Sequence, residues 1–209
     1  MTPLPRLMVA PNGATRTKAD HPALPVTIAE IVACARDCHA AGADGLHAHV
    51  RDGEGRHVLD AGLYAELLAE LARQVPAMQV QITTEAVSRY APADQRRLVE
   101  TLRPRMVSVA LREIAAEPDP AVTRRFFAFC AEAGIAVQHI LYDPADVARL
   151  GAMVAGGAIP AEGLQVLHVL GRYSPGQVSS PDDLRAPLAA QAAAGLAPDW
   201  AVCAFGRSE

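Results

Sequence analysis

His47-Ala48-His49-Val50-Arg51 closes an apolar run that begins at Asp44, and it sets two imidazoles two residues apart. A strand sends alternate side chains to opposite faces, so Gly45, His47, His49 and Arg51 share one face while Leu46, Ala48 and Val50 share the other. Two imidazoles on one face are a beginning of a metal site. Neutral imidazole binds zinc and other first-row metals at about 2.0–2.1 Å, and two such ligands leave coordination positions open for a third group and a substrate. The same pattern also suits a pair of histidines filling a polar interior.

The elements that must position these side chains follow from periodicity. Strand-like runs fall at 7–12, 45–51, 78–84, 106–111, 136–142, 164–170 and 200–205, and each except the last is followed by a helical stretch. Thr27-Ile28-Ala29-Glu30 reads as a capping box, while Asp119-Pro120, Asp143-Pro144 and Ser180-Pro181 each place a capping side chain before a proline at the first helical position. Gly42, Gly134 and Gly195 supply the stops. A strand-to-strand spacing of roughly 30 residues matches successive βαβ units, which build a parallel sheet.

Strand faces choose between an open sheet and a barrel. In the third run Met78, Val80 and Ile82 lie opposite Gln79, Gln81, Thr83 and Glu85; in the fourth, Val107, Val109 and Leu111 lie opposite Ser108, Ala110 and Arg112. One face is polar, which suits a barrel that directs polar groups inward near the C-terminal ends of its strands. No GxGxxG or Walker loop follows the first run, so nucleotide binding of that kind is not indicated. The expected fold is a TIM (β/α)8-type barrel in a single domain over residues 1–209, with seven βα strands readable and the eighth missing or beyond Glu209.

With 209 residues, 51% hydrophobic and 20% charged, the chain can bury a sizeable core. A net charge of −4 with dispersed Lys and Arg, and 4% aromatics, argues against nucleic acid as a partner. No apolar run nears the roughly 18 residues that cross a bilayer, and no signal pattern opens the chain, so a cytoplasmic protein without a membrane partner is expected. Cys34, Cys38, Cys130 and Cys203 form no CxxC pair and suit reduced thiols.

Laid in order, the segments Ala10-Pro11-Asn12-Gly13-Ala14, 18–25 (KADHPALP), His47-Ala48-His49-Val50-Arg51-Asp52, Gln81-Ile82-Thr83-Thr84, Val169-Leu170-Gly171 and Phe205-Gly206-Arg207 resemble the β-keto acid cleavage enzymes over nearly the whole chain. The resemblance implies a TIM barrel, usually oligomeric, in which a divalent metal, typically Zn2+, helps a β-keto acid exchange acyl groups with acetyl-CoA. Acetoacetate and a new CoA thioester are the products. His47 and His49 are then metal ligands. Thr83 and Ser108 match small hydroxyl residues lining the pocket and, with Glu85 and Arg51, are the catalytic candidates; Asn12, Thr15, Arg112 and Gly171 are the substrate-binding candidates. Arg51 is expected either to pair with the substrate carboxylate or to lock a barrel carboxylate, with the second favoured. For Glu85 the alternatives are a base, a metal-proximal acid or a rim ion pair with Arg89 or Arg112.

The chain also departs from that family. Its members end in an eighth strand bearing a GGHxRxGxED-like segment that provides a metal-binding glutamate, a general-base aspartate and an arginine, and this sequence stops at Glu209. Thr15 stands where some relatives carry an acidic residue, and Gln138 and Ile140 replace glutamates of the fifth strand, so a different substrate preference is expected. Of the other histidines, His139 is expected to face the helix layer and His168 is ambiguous at the mouth end of its strand. His21 is placed in a loop over the mouth, and His39 and His57 are read as surface positions. The alternatives to acyl exchange are a metal-dependent hydrolase or aldolase acting on a small carboxylic acid, and a catalytically silent barrel that binds one.

Overall fold

The computed structural model describes residues 2–206; Arg207 of the last motif and Glu209 lie outside the described residues. The architecture is α/β of the TIM-barrel type, with seven strands alternating with helices. The chain divides into two compact units: Pro5–Val107, and the chain from Ser108 onward together with residues 2–4.

The N-terminal unit holds β1 (Met8–Val9), α1 (Ile28–Ala40), β2 (Gly45–Ala48), α2 (Ala61–Gln74), β3 (Gln79–Thr83) and α3 (Pro92–Leu102). β1 pairs parallel with β2 and β2 with β3, in the register Gly45↔Gln79, His47↔Gln81. The capping box at Thr27 forms as the sequence predicts: the Thr27 hydroxyl accepts from the Glu30 amide, and the Glu30 carboxylate accepts from Thr27 and Val26. Ile31, Val32 and Ala35 of α1, and Tyr64, Leu67 and Leu71 of α2, are buried with Leu46, Ala48 and Ile82 of the strands. Their i, i+3/i+4 spacing puts each helical set on one face. Gly45 is required by close approach, because a β-carbon there would collide with the Pro5 ring.

β4 (Met106–Ala110) carries the chain from the first unit into the second. There follow α4 (Leu111–Ile114), α5 (Pro120–Glu132), β5 (Ala136–Leu141), α6 (Pro144–Ala155), β6 (Gln165–Leu170), α7 (Arg185–Ala193) and β7 (Asp199–Ala204). β5 pairs parallel with β6 and β6 with β7. Asp119 and Asp143 cap α5 and α6 ahead of their prolines, whereas Ser180-Pro181 opens a single 3-10 turn (Pro181–Leu184) that leads into α7. His139 faces the helix layer, its ring 5.2 Å from that of Phe127 on α5. Trp200 and Val202 on β7 each remain 42% exposed. No helix among the described residues is long and apolar enough to cross a membrane.

Candidate active site

The N-terminal unit brings the paired histidines together. His47 lies in β2 and His49 one residue beyond it, and their Nε2 atoms face each other at 3.2 Å. Two ligands each about 2.05 Å from one ion subtend an angle of about 100° at that separation, close to tetrahedral. The pair therefore fits two adjacent positions of a single ion. Burial pushes the His47 pKa down and holds that of His49 well below its ordinary value, with the charges of His47, His57 and Arg51 adding to the effect on His49. Neutral imidazole is the metal-binding form.

The parallel register sets Gln81 beside His47, and the His47 Nδ1–H donates to the Gln81 Oε1 at 2.8 Å. That bond fixes the tautomer and aims the Nε2 lone pair at His49, the usual device for orienting a ligating histidine. The His49 Nδ1, by contrast, is buried without a hydrogen-bond partner. Among the described residues, no group of three or more His, Cys, Asp or Glu side chains is arranged to hold a metal. Glu85 comes nearest to joining the pair, with its Oε2 3.9 Å from the His49 Nε2.

Three loops meet this pair. Asn12, after β1, is buried and donates from Nδ2 to the His49 carbonyl at 2.8 Å, while its Oδ1 has no partner. Arg51 is 8% exposed, and its guanidinium donates to the carbonyls of Gly13 (2.5 Å), Gly55 (3.0 Å), Arg16 (3.1 Å) and Asn12 (3.2 Å). The expectation that Arg51 favours a barrel carboxylate is thereby corrected, since backbone oxygens of two loops occupy its fork. Thr15 is exposed in the first of those loops.

Beyond β3, the Thr83 hydroxyl accepts from the Glu85 amide at 3.0 Å. The Tyr64 hydroxyl, wholly buried on α2, reaches the carbonyls of Ala48 and Thr83, tying the ends of β2 and β3 together. Val87 and Ser88 follow with φ of 45° and 56°, left-handed values that cost a β-branched residue about 1–2 kcal/mol. Strain of this kind persists only where the surroundings hold it.

His57 is the residue that sequence reasoning missed. It is 3% exposed rather than at the surface, and its Nε2–H donates to the Glu85 carbonyl at 2.9 Å. Its ring stands edge-on to that of His49 at 5.0 Å. A tight turn over 52–56 folds the chain back so that Arg51 and His57 form an antiparallel bridge. Asp52-Gly53-Glu54-Gly55 was the available signal, because a glycine-rich acidic turn after a strand returns the next residues to it.

The remaining candidates belong to the C-terminal unit. Ser108 is buried in β4. Arg112 does not end that strand: it sits in the short helix α4, paired with Asp146 (2.6 Å) and Asp143 (2.9 Å) and lying over the rings of Tyr142 and Tyr173. Gly171 has φ of 75°, and a β-carbon there would lie 2.6 Å from the Phe205 carbonyl oxygen, so its need for glycine is met by packing. His168 points to α7, its Nε2 3.2 Å from the Gln191 Oε1. His21 is exposed, and half-buried His39 bonds the Ala43 carbonyl.

Comparison with known proteins bears on the family and the fold. A segment of the chain is 30% identical over 104 residues to a 3-oxoadipate:acetyl-CoA acetyltransferase of Cupriavidus necator, covering 50% of this chain and 36% of that protein. A match of 98 residues is 31% identical to a 3-keto-5-aminohexanoate cleavage enzyme of Fusobacterium nucleatum, covering 46% of this chain and 35% of that protein. The matches thus span about a third of the length of these relatives. In fold, the chain superposes on a type I 3-dehydroquinate dehydratase of Clostridium difficile with a TM-score of 0.62 at 14% identity, over 96% of this chain and 74% of that one. The family model described as beta-keto acid cleavage enzyme matches residues 6–209, and the chain belongs to that family.

Proposed function

We propose that this chain catalyses the metal-dependent exchange of acyl groups between a β-keto acid and acetyl-CoA, giving acetoacetate and a new CoA thioester. The observation that carries the reading is the 3.2 Å approach of two buried Nε2 atoms, one of them oriented by Gln81. His47 and His49 would hold a divalent ion of the zinc type, which would supply Lewis-acid polarisation of the keto oxygen.

Within this chain, Glu85 is a metal-proximal acid in this reading, its carboxylate beside His49 and its amide fixed by Thr83, while the proton that must leave carbon goes to the general-base aspartate that the family resemblance implies. Arg51 acts through the backbone, holding the loop that carries Asn12 and Thr15. The buried, unpartnered Asn12 Oδ1 offers an acceptor to a substrate. In the C-terminal unit, taken by itself, Ser108 is a catalytic candidate of this reading, and Arg112, held by its two aspartates, and Gly171 are substrate-binding candidates.

Metal analysis of the purified full-length protein tests the reading: about one divalent ion per chain is expected, and none in the His47→Ala/His49→Ala variant. Chelator should abolish turnover of a β-keto acid with acetyl-CoA. Stoichiometric metal surviving replacement of both histidines would overturn the assignment.

A further inference from the structure

A histidine that ligates through Nε2 carries its proton on Nδ1, and a buried N–H left without an acceptor costs about 1–3 kcal/mol. His47 has its acceptor in Gln81. The His49 Nδ1 is buried without a partner, and the ring beside it, that of His57 edge-on at 5.0 Å, also has its Nδ1 buried without a partner. The protons on these rings follow from what their other nitrogens meet. The His57 Nε2 lies 2.9 Å from the Glu85 carbonyl, which can only accept, so Nε2 carries the proton and the Nδ1 of this neutral ring keeps a lone pair. Gln81 takes the Nδ1–H of His47, so the His47 Nε2 is a lone pair as well, and the 3.2 Å contact is a hydrogen bond only when His49 donates from its own Nε2. In that tautomer the Nδ1 atoms of His49 and His57 are both acceptors. They cannot bond each other, which accounts for both lacking a partner.

We infer that His57 is the positioning residue for His49: when the His49 Nε2 gives its lone pair to an ion, its proton moves to Nδ1, and the His57 Nδ1 accepts that N–H in a hydrogen bond. This rests on the reading of His47 and His49 as metal ligands. The ring gains and loses no proton; it gives up the bond from Nε2 to His47 and takes up one from Nδ1 to His57. Gln81 and His57 then serve the two ligands in the same way, each fixing a tautomer from the far side of the ring. The acceptor is itself held in place, because His57 bridges Arg51, its carbonyl accepts from Arg89 at 3.3 Å, and its ring stands edge-on to Tyr90 at 6.4 Å. Of Glu85 only the carbonyl takes part, by keeping the His57 proton on Nε2.

Zinc affinity of the full-length protein, read by competition with a chromophoric chelator, tests this without substrate. His57→Phe keeps a ring and removes the acceptor; His57→Gln keeps an acceptor and a donor. His57→Phe should weaken zinc binding about 10- to 100-fold, the range for the outer partners of ligating histidines, and His57→Gln should recover most of the loss. The loss should be as large in a Glu85→Gln background, since the carboxylate is not the link. Unchanged affinity in a folded His57→Phe variant, a folded His57→Gln variant as weak as His57→Phe, or a loss that disappears in the Glu85→Gln background would overturn the inference.

Histidine-selective 15N NMR of the wild-type protein needs no variant. Zinc should move the His49 proton from Nε2 to Nδ1, leave the His57 proton on Nε2, and bring out a 15N–15N coupling across the new hydrogen bond between the two Nδ1 atoms. Zinc-loaded protein without that coupling, or with His57 protonated on Nδ1, would overturn the inference even if His57→Phe failed to fold. Wild-type protein that takes up no zinc at His49 would overturn both the inference and the proposed function, whereas protein that shows the coupling and turns over no β-keto acid would count against the proposed reaction alone.

Discussion

Acidification should weaken the fold through His139, and the size of the effect follows from its burial. His139 is 2% exposed on β5, and burial alone lowers its pKa to about 4. In the unfolded chain a histidine titrates near 6.5. Between those values the unfolded state binds more protons than the folded one, so stability rises with pH in this window and falls as pH drops through it. The stability present above pH 6.5 is lost progressively down to about pH 4, where the folded state also protonates. At 1.36 kcal/mol per pH unit the loss reaches about 3 kcal/mol, a large share of the roughly 5–15 kcal/mol typical of a domain. Urea titrations of wild type and His139→Leu at pH 7 and pH 4.5 isolate this residue from His47, His49, His57 and His168, whose pKa values are also lowered. At pH 7 the variant should differ by less than about 1.5 kcal/mol, since the exchange is close in volume and removes a buried nitrogen without a partner. At pH 4.5 it should have lost about 2–3 kcal/mol less than wild type. Equal acid losses in the two proteins would refute the reasoning.

Other substitutions test the scaffold around the site. Thr27→Ala removes the hydroxyl of the α1 capping box and should cost about 1 kcal/mol by urea unfolding. Arg51→Lys replaces a fork that serves four carbonyls with a single ammonium; a loss of roughly 2–3 kcal/mol is expected, with faster amide exchange over residues 12–16. Gly171→Ala places a β-carbon on a left-handed residue against the Phe205 carbonyl, and thermal unfolding should show a loss of about 2 kcal/mol.

Much of this architecture was legible in the sequence because its signals are local. All seven strand runs start within one residue of the observed strands, and Thr27, Asp119 and Asp143 cap helices as their neighbours imply. Strand parity put His47, His49, Gln81 and Thr83 on the polar side, yet the bond between His47 and Gln81 needed the β2–β3 register, which parity alone does not give. What escaped depended on chain reversal or on backbone partners. His57 looked superficial because a polar stretch follows β2, and only the closed turn over 52–56 brings it back against His49. Arg51 found carbonyls rather than a carboxylate, because backbone oxygens of irregular loops leave no mark in side-chain composition. Arg112 fell outside its expected strand because β4 ends at Ala110 and turns at once into α4, where Asp143 and Asp146 compete for the guanidinium.

The central claim is that the buried His47–His49 pair holds the ion on which acyl exchange depends, and isotope transfer tests it most directly. Metal-loaded full-length protein is incubated with a β-keto acid and acetyl-CoA labelled in its acetyl group, and the position of the label is read by NMR. The account predicts label in the two methyl-end carbons of acetoacetate, unlabelled acyl groups in the new CoA thioester, and no transfer with the His47→Ala/His49→Ala variant. Label released as free acetate, or transfer undiminished in the double variant, would contradict it.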